Sequence, residues 1–424
     1  MPHCGTCKDR QNVSAIPAAF PVAAVFHKKP GIRRQQNIVM MQTASATLFI
    51  LSISVGVAMI GLGIIWPLIP VFAVELGATG LLVGLIIASF NIARVIFSPF
   101  VGRISDKWGR KNFIVAGLIA YAGISFLYVI SVNAQMLIII RFFHGLASLF
   151  VVPIAMALAA DIAPKQKLGL YMGTLNMAVM LGVGAGPALG GIIREQFGMN
   201  AAFYTMGVLT IFTCLLVVLC IPADKAGFRG KGRQPVTSVK KILAQRPVLG
   251  IFIMRFFAAC GQGTVYSFLP ILALQLHLTS AQVGLILTAN VFLIAFLQRF
   301  SGRLADQFNP KNLVIAGTFA SGLTVFGMPF MEGFGMILLL NIFMGMANGL
   351  AFPGGLVIVG RLGKTMGMAS LMSVTDAAWS LGMIVSPILS GIILDLSGLF
   401  YVFIIGSILI MTGGVAVTLL LRDY

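Results

Sequence analysis

The chain has 424 residues, of which 58% are hydrophobic and only 9% are charged. Soluble proteins carry about 25% charged residues, so this composition excludes an ordinary soluble domain. The formal net charge of +18 is compatible with a nucleic-acid ligand, but the basic residues lie mainly between long apolar runs. We therefore interpret the charge as a determinant of membrane topology and expect no nucleic-acid partner.

Apolar runs of about 20 residues, each long enough to cross a bilayer as a helix, follow one another along the chain. They lack the alternation with period two that marks membrane β-strands, and in lipid a helix pairs every backbone group within its own segment. The sequence predicts an all-α membrane protein with twelve transmembrane helices. The predicted spans, numbered one to twelve, are 44–70, 80–101, 112–131, 135–159, 168–193, 200–221, 248–275, 281–301, 312–331, 335–358, 366–394 and 399–421.

Polar segments divide the chain into two sets of six spans. Residues 1–42 are polar and basic and lack the apolar core of a signal peptide, so we predict a disordered cytoplasmic tail. Residues 222–247 form a linker with seven basic residues and one acid, which favours the cytoplasm and the surface of anionic lipid. The two predicted bundles are therefore residues 43–221 and 248–424.

Two features of the tail leave alternatives open. Met40 and Met41 stand directly before the first span, where translation could also start. Cys4 and Cys7 have the spacing of a metal or redox pair, but no second pair of ligands accompanies them. We expect no metal and no cofactor.

The distribution of Lys and Arg predicts the orientation. With both termini in the cytoplasm, all but five of the 29 Lys and Arg lie in cytoplasmic segments. The reverse orientation would invert this bias. We predict a multi-pass protein of the cell membrane with both termini inside.

The two halves are copies of one unit. The segment Gly102-Arg-Ile-Ser-Asp106-Lys-Trp-Gly109-Arg110-Lys111 recurs 200 residues later in a stretch that contains Gly302 and Asp306. The same offset relates Pro187 to Pro387. A constant offset through both halves indicates a duplicated membrane unit, and such internal repeats are typical of secondary transporters.

The loop between spans two and three carries charged residues that could hold neighbouring helices together at one end of the protein. Asp106 is placed to accept hydrogen bonds from the amides of a helix N-terminus, where the helix dipole favours an anion. Arg110 can pair with Asp161 at the end of span four. The alternative is a charged turn that only sets the orientation, but this explains neither the glycines nor the second copy.

The loop pattern Gly-x-x-x-Asp-x-x-Gly-Arg-Lys resembles the signature of the major facilitator superfamily. Its residues here are Gly102, Asp106, Gly109, Arg110 and Lys111. The resemblance covers residues 43–421 and implies two six-helix bundles around a central cavity, with Asp106 capping span eleven and latching the outward-facing state. In the copy with Gly302 and Asp306, Asn309-Pro310 replaces Gly-Arg, so we expect a weaker latch there.

Span four carries Arg141 and, three residues later, His144. An arginine in lipid costs about 2.5–3.5 kcal/mol or more, so it should face a cavity or a partner. The superfamily resemblance assigns this arginine a part in proton transfer; a structural arginine held by helix carbonyls is the alternative. His144 could titrate near neutral pH or be a satisfied hydrogen-bonding histidine.

Span five carries Gly182-Val-Gly-Ala-Gly186-Pro187-Ala-Leu-Gly190-Gly191. Small residues let helices pack closely and proline bends them, so close packing is one interpretation. The pattern Gly-Pro-x-x-Gly-Gly also resembles the antiporter motif of drug:proton exchangers in the superfamily. Its residues here are Gly182, Gly186, Pro187, Gly190 and Gly191. This resemblance implies an exporter.

Asp376 is the one acid predicted within a span, and Asn176 is its repeat mate. Asn91 and Arg94 on span two lie at a similar depth. We hypothesise that Asp376 pairs with one of them and takes up the coupling proton, because a buried carboxylate can cycle between protonation states. A static ion pair between the bundles is the alternative. Arg255 in span seven is expected to face the cavity beside Gln262.

These observations predict a proton-coupled secondary transporter that exports lipophilic small molecules by alternating access. Proton-coupled uptake, uncoupled transport of a small metabolite and a non-transporting receptor or scaffold are the alternatives. The Gly-rich stretches lie inside apolar spans, so no nucleotide loop is predicted and we expect no enzyme activity. The expected partners are a small-molecule substrate, protons and membrane lipid, with the monomer as the functional unit.

Overall fold

The computed structural model describes residues 30–164, 167–221, 242–366 and 368–421. Within these ranges the side chains at 30–44, 102–103, 106–108, 299, 302–303, 305–306 and 360–370 are outside the description. Cys4, Cys7 and residues 222–241 of the basic linker also lie outside it. The described residues 30–43 belong to one unit, and the compact unit that begins at Ala44 contains the twelve spans.

The described part of the chain contains twelve helical spans long and apolar enough to cross a membrane, which confirms the predicted fold class. Span one, Ser45–Glu75, is formed by the later part of helix Pro30–Ile65 and by helix Leu68–Glu75. Spans two to twelve are the helices Gly80–Trp108, Arg110–Val129, Ala134–Ile162, Leu168–Phe197, Met199–Cys220, Arg246–Gln275, Ser280–Gln307, Pro310–Gly327, Phe334–Met366, Met368–Ser397 and Leu399–Leu420. A short 3-10 helix, Met328–Phe330, follows span nine.

The first helix extends back into the segment predicted as a disordered tail. It begins at Pro30, so residues 30–42 are helical, while residues 1–29 lie outside the described part. The run from Pro30 to Thr43 belongs to the first unit, and the apolar span begins at Ser45.

Short connections join successive spans. Polar side chains cap the first turns of some helices, and glycines with positive φ form the turns between others. The side chain of Thr79 accepts a hydrogen bond from the amide of Leu82 at the start of span two. Its repeat mate Thr279 forms a full capping box with Gln282 at the start of span eight. Gly109, Gly198 and Gly398 have φ of 92°, 86° and 90° at the corners that end spans two, five and eleven, a conformation that favours glycine.

The two bundles meet through span two against span eleven and span five against span eight. A Cβ at Gly84 would clash with the carbonyl oxygen of Pro387, and a Cβ at Gly284 would clash with that of Pro187. These contacts are related by the 200-residue offset. We call the side of the molecule that carries Glu75, Gly80, Ser280 and Asp395 the closed end, and the opposite side, with residues 102–111, the motif end.

The glycines of span five are used on two faces. Gly182, Gly186 and Gly190 pack against the backbone of span one, at Gly56, Gly63 and Ile64. Gly191 instead faces Ser280 on span eight of the other bundle. Small residues at both faces let span five approach its own bundle and the opposite bundle at backbone distance.

Candidate transport cavity

Carboxylates hold the two bundles together at the closed end. Asp395 Oδ1 accepts a hydrogen bond from the amide of Gly80 at 2.6 Å, and Oδ2 accepts one from Leu81 at 2.8 Å. Its repeat mate Glu195 accepts one from the amide of Ala281 at 3.0 Å. Both acids thus sit at the N-terminus of a helix in the opposite bundle, where the helix dipole favours a negative charge.

Arg194 adds a second contact at this end. Its guanidinium donates to Ser280 Oγ at 2.8 Å and pairs with Glu75 at the end of span one. The sequence analysis missed Glu195, Asp395 and Glu75 as gate residues. The signal that could have found the two capping acids is the 200-residue offset between Glu195 and Asp395.

Trp66 and Tyr266 separate the closed end from a cavity. Their ring centroids are 4.6 Å apart with an interplanar angle of 62°, an edge-to-face contact between repeat mates. On the motif-end side of this pair lies a cavity of about 330 Å³, within the size range of small-molecule sites.

The cavity is lined mainly by the C-terminal bundle. Trp66, Met180 and Val183 are its lining residues from the N-terminal bundle. Spans seven, eight, ten and eleven supply the others, which include Arg255, Gln262, Tyr266, Asn348, Phe352 and Trp379. The pseudo-symmetric backbone therefore holds an asymmetric site.

Among the described residues that line the cavity, Arg255 is the charged one. Its Nη2 lies 3.2 Å from Asp376 Oδ1, and its Nε donates to the carbonyl of Thr375 at 3.3 Å. The guanidinium carbon also lies 4.9 Å from the ring centroid of Phe352 and 5.4 Å from that of Trp379. Two aromatic faces and one carboxylate thus stabilise a cation that is only 11% exposed.

The predicted partner of Asp376 was wrong. The structure pairs Asp376 with Arg255 on span seven of its own bundle, rather than with Asn91 or Arg94 of the opposite bundle. The reason is that spans seven and eleven pack side by side within one bundle. Arg94 remains in electrostatic range of Asp376, and its guanidinium lies 5.8 Å from the Phe90 ring.

Asp376 stands at the edge of the cavity and its carboxylate is 75% exposed. The neighbouring residues Thr375 and Trp379 line the cavity itself. Asn176, the repeat mate of Asp376, is exposed on span five and is not among the lining residues. The carboxylate is therefore accessible while its arginine partner is buried.

Arg141 and His144 lie in a separate buried cluster in the N-terminal bundle. The Arg141 guanidinium stacks on Phe90 with 4.7 Å between its carbon and the ring centroid. His144 Nδ1 lies 3.0 Å from the hydroxyl of Tyr128, and the ring of Tyr121 packs edge-on against it at 4.7 Å. Neither Arg141 nor His144 is among the residues lining the cavity. Arg141 therefore meets an aromatic partner rather than the cavity.

The motif end carries the predicted ion pair between Arg110 and Asp161. Lys111 adds a hydrogen bond from Nζ to the carbonyl of Val218 at 2.8 Å, and a further one to Ile221. These contacts fasten the start of span three to the ends of spans four and six. The side chains of Gly102, Asp106, Gly302 and Asp306 are outside the described residues, so the predicted cap of span eleven stays a prediction.

Twelve spans in two repeated bundles, closed at one end over a cavity, define a membrane transporter. The sequence matches the family model of the Major Facilitator Superfamily over residues 51–256 and 251–424, and the chain belongs to that family. This confirms the resemblance carried by the loop between spans two and three.

Several curated relatives are transporters or resistance proteins. An uncharacterised transporter of this superfamily from Methanocaldococcus jannaschii is 33% identical over 64% of this chain and 71% of its own length. Multidrug resistance protein 2 of Bacillus subtilis is 26% identical over 87% of this chain and 93% of its own. The quinolone resistance protein NorA of Staphylococcus aureus is 24% identical over 82% and 90%.

The fold also matches solved structures. A bacterial homologue of the human lysosomal transporter Spinster, in an inward-facing and unoccupied conformation, superposes with a TM-score of 0.78 and 14% identity. The match covers 90% of this chain and 98% of the other. At this identity the match concerns the fold.

Proposed function

We propose that this protein exports lipophilic small molecules across the cell membrane in exchange for protons. The observation that carries the proposal is the apolar, aromatic cavity beside the accessible Asp376–Arg255 pair. The glycine pattern of span five supports export, and so does the similarity to a multidrug resistance protein of Bacillus subtilis and a quinolone resistance protein of Staphylococcus aureus. The cavity lies within one chain, which supports a functional monomer in lipid.

In this proposal the motif end faces the cytoplasm. Among the described residues, Arg110 and Lys111 begin span three, Arg246 begins span seven and Lys311 begins span nine on that side, in keeping with the bias of Lys and Arg toward cytoplasmic segments. Both termini are then inside, the closed end faces outward, and the structure corresponds to an inward-facing state. Opening the closed end and closing the motif end would complete alternating access.

Asp376 takes up the coupling proton in this proposal. While it is ionised, it compensates the charge of Arg255 and the cavity wall is electrically balanced. Protonation removes that compensation and leaves a cation at the wall of an apolar cavity, where an unpaired charge is costly unless water enters. A hydrated cavity binds lipophilic cargo weakly, so proton and cargo exclude one another, which is the requirement for antiport.

The membrane potential adds to the driving force. A charge that moves through 100 mV contributes about 2.3 kcal/mol. A proton that enters on Asp376 from the outside therefore returns the emptied carrier to the inward-facing state. Arg141 and His144 lie away from the cavity, and we assign them a supporting role in the N-terminal bundle.

Proteoliposomes with an acidic interior test the proposal. Adding a lipophilic aromatic dye outside should release protons from vesicles that contain the purified protein. The variant Asp376→Asn should release none, and it is a mild change because Asn176 stands at this position in the first repeat. Proton movement in the opposite direction would identify a symporter, and silence across a broad panel of dyes would count against transport of lipophilic cargo.

A further inference from the structure

The side chains that line the cavity indicate a narrower class of transported molecule than lipophilic compounds in general. Four aromatic side chains face the space, namely Trp66, Tyr266, Phe352 and Trp379. Aromatic rings favour stacked or edge-to-face partners at centroid distances of about 4.5–7 Å. The walls therefore suit a planar aromatic molecule better than a branched aliphatic one.

The charges at the cavity argue against a charged cargo. A cargo cation would meet the guanidinium of Arg255, and the Asp376 carboxylate at the cavity edge is already paired with that arginine. A cargo anion would have to displace Asp376 from Arg255, whose flat faces are already covered by Phe352 and Trp379. An uncharged molecule leaves the ion pair and both aromatic contacts in place.

One polar group in the wall is not satisfied by the protein. The amide nitrogen Nδ2 of Asn348, on span ten, is buried and has no hydrogen-bond partner among the described residues. Gln262 differs, since its amide nitrogen donates to the hydroxyl of Tyr266. A buried donor without an acceptor is unfavourable, and a ligand oxygen at this point would remove that cost.

The repeat sequence shows that this donor is particular to the C-terminal copy. The repeat mate of Asn348 is Ser148, whose hydroxyl donates to the carbonyl of Gly145 in its own helix at 2.6 Å. A backbone carbonyl of the same helix therefore accepts the hydrogen bond of Ser148 in the first repeat. In the second repeat, Asn348 lines the cavity and its amide nitrogen has no such acceptor among the described residues. This difference coincides with the position of the cavity in the C-terminal bundle.

We propose that the cavity binds an uncharged planar aromatic molecule whose carbonyl-type oxygen accepts a hydrogen bond from Nδ2 of Asn348. The proposal rests on the proposed transport function, because it describes the cargo of that same cavity. It adds a specificity-determining residue and a chemical class. The planar rings lie among Phe352, Trp379 and Trp66, and the oxygen points toward span ten.

Binding of four tricyclic fluorescent probes to the purified full-length protein tests this inference. Acridone is uncharged and carries a ring carbonyl, and anthracene is a similar tricycle without an acceptor oxygen. Anthracene-9-carboxylate is an anion, and 9-aminoacridine is a cation. We expect acridone to bind roughly tenfold more tightly than each of the others.

Variants separate the hydrogen bond from packing. Asn348→Ala should weaken acridone binding roughly tenfold and leave anthracene binding unchanged. Asn348→Leu, which keeps a similar volume and has no donor, should weaken acridone binding as well. Asn176→Ala is the matched control, because Asn176 is exposed and outside the lining, and it should behave as the wild type.

Each other outcome overturns the inference. Tighter binding of the carboxylate or of the aminoacridine would identify a charged cargo. If Asn348→Ala weakens the binding of acridone and anthracene equally, Asn348 contributes packing rather than a hydrogen bond. If none of the four probes binds, the cargo is not a planar aromatic molecule. Binding is measured without a proton gradient, so loss of proton exchange with intact acridone binding would reject only the proposed antiport.

Discussion

The indole of Trp66 lies edge-on against the phenol ring of Tyr266, with 4.6 Å between the ring centroids. The two residues are 200 positions apart and occupy the same place in the two repeats. Their contact marks the point where the duplicated bundles meet above the cavity. The hydroxyl of Tyr266 also accepts from Gln262 and donates to Asn290 at 3.4 Å, which fixes the ring within its own bundle.

Removal of the Tyr266 ring should open the cavity toward the closed end. We expect Tyr266→Ala to increase the rate at which a membrane-impermeant maleimide, added to intact cells, labels a cysteine placed at Val291 in the cavity wall. The experiment needs a background without the natural cysteines. Tyr266→Phe keeps the ring contact and should label like its parent. Equal labelling of the Ala and Phe variants would show that the ring is not a barrier.

Gly84 should be needed for closure of the closed end. A Cβ at this position clashes with the carbonyl oxygen of Pro387, and backbone on both sides leaves little room to adjust. We expect Gly84→Ala to lengthen the distance between spin labels at Phe197 and Ser397, measured by electron paramagnetic resonance. The control is Gly123→Ala, where an added Cβ has nothing within 4 Å. An unchanged distance in Gly84→Ala would argue against the glycine contact as the closure point.

The Arg110–Asp161 pair should stabilise the N-terminal bundle. Its side chains are 16% and 23% exposed, so solvent screens the pair only partly. Each single change, Arg110→Ala or Asp161→Ala, should lower the free energy of unfolding by about 1–3 kcal/mol. The double variant should lose less than the sum of the two, and thermal melts of all four proteins measure this coupling. Additive losses would mean that the two side chains do not interact.

The charge balance between Arg255 and Asp376 should control cargo affinity. Asp376→Asn leaves Arg255 uncompensated and should weaken binding of an uncharged aromatic probe roughly tenfold, since an unpaired buried charge draws in water. The double variant Arg255→Met with Asp376→Asn removes both charges and should recover most of that affinity, without pH dependence. If Asp376→Asn binds the probe with wild-type affinity, the Arg255–Asp376 ion pair does not control cargo binding.

The spans could be predicted from the sequence because each one is an apolar run long enough to cross a membrane. The 200-residue repeat showed that the spans form two bundles of six. The contact between Arg110 and Asp161 was also predictable, since few acids stand near that end of the molecule. The partner of Asp376 was not predictable. Depth along a helix follows from residue number, but the direction in which a side chain points depends on how spans seven and eleven are rotated against each other.

The position of the cavity within the C-terminal bundle could not be predicted from the sequence either. It arises from differences in side-chain volume and polarity between the repeats, such as Asn348 against Ser148 and Trp379 against Val179. Such differences become a cavity only when the packing of several helices is known.

The sign of proton exchange on cargo binding tests the central claim most directly. Acridone is added to the purified protein in weakly buffered solution across a pH series, and a pH indicator follows the free protons. Antiport through Asp376 predicts proton release in the wild type and no change in Asp376→Asn, because cargo and proton compete for the same state of the site. Proton uptake on cargo binding, or release that persists in Asp376→Asn, would contradict the account.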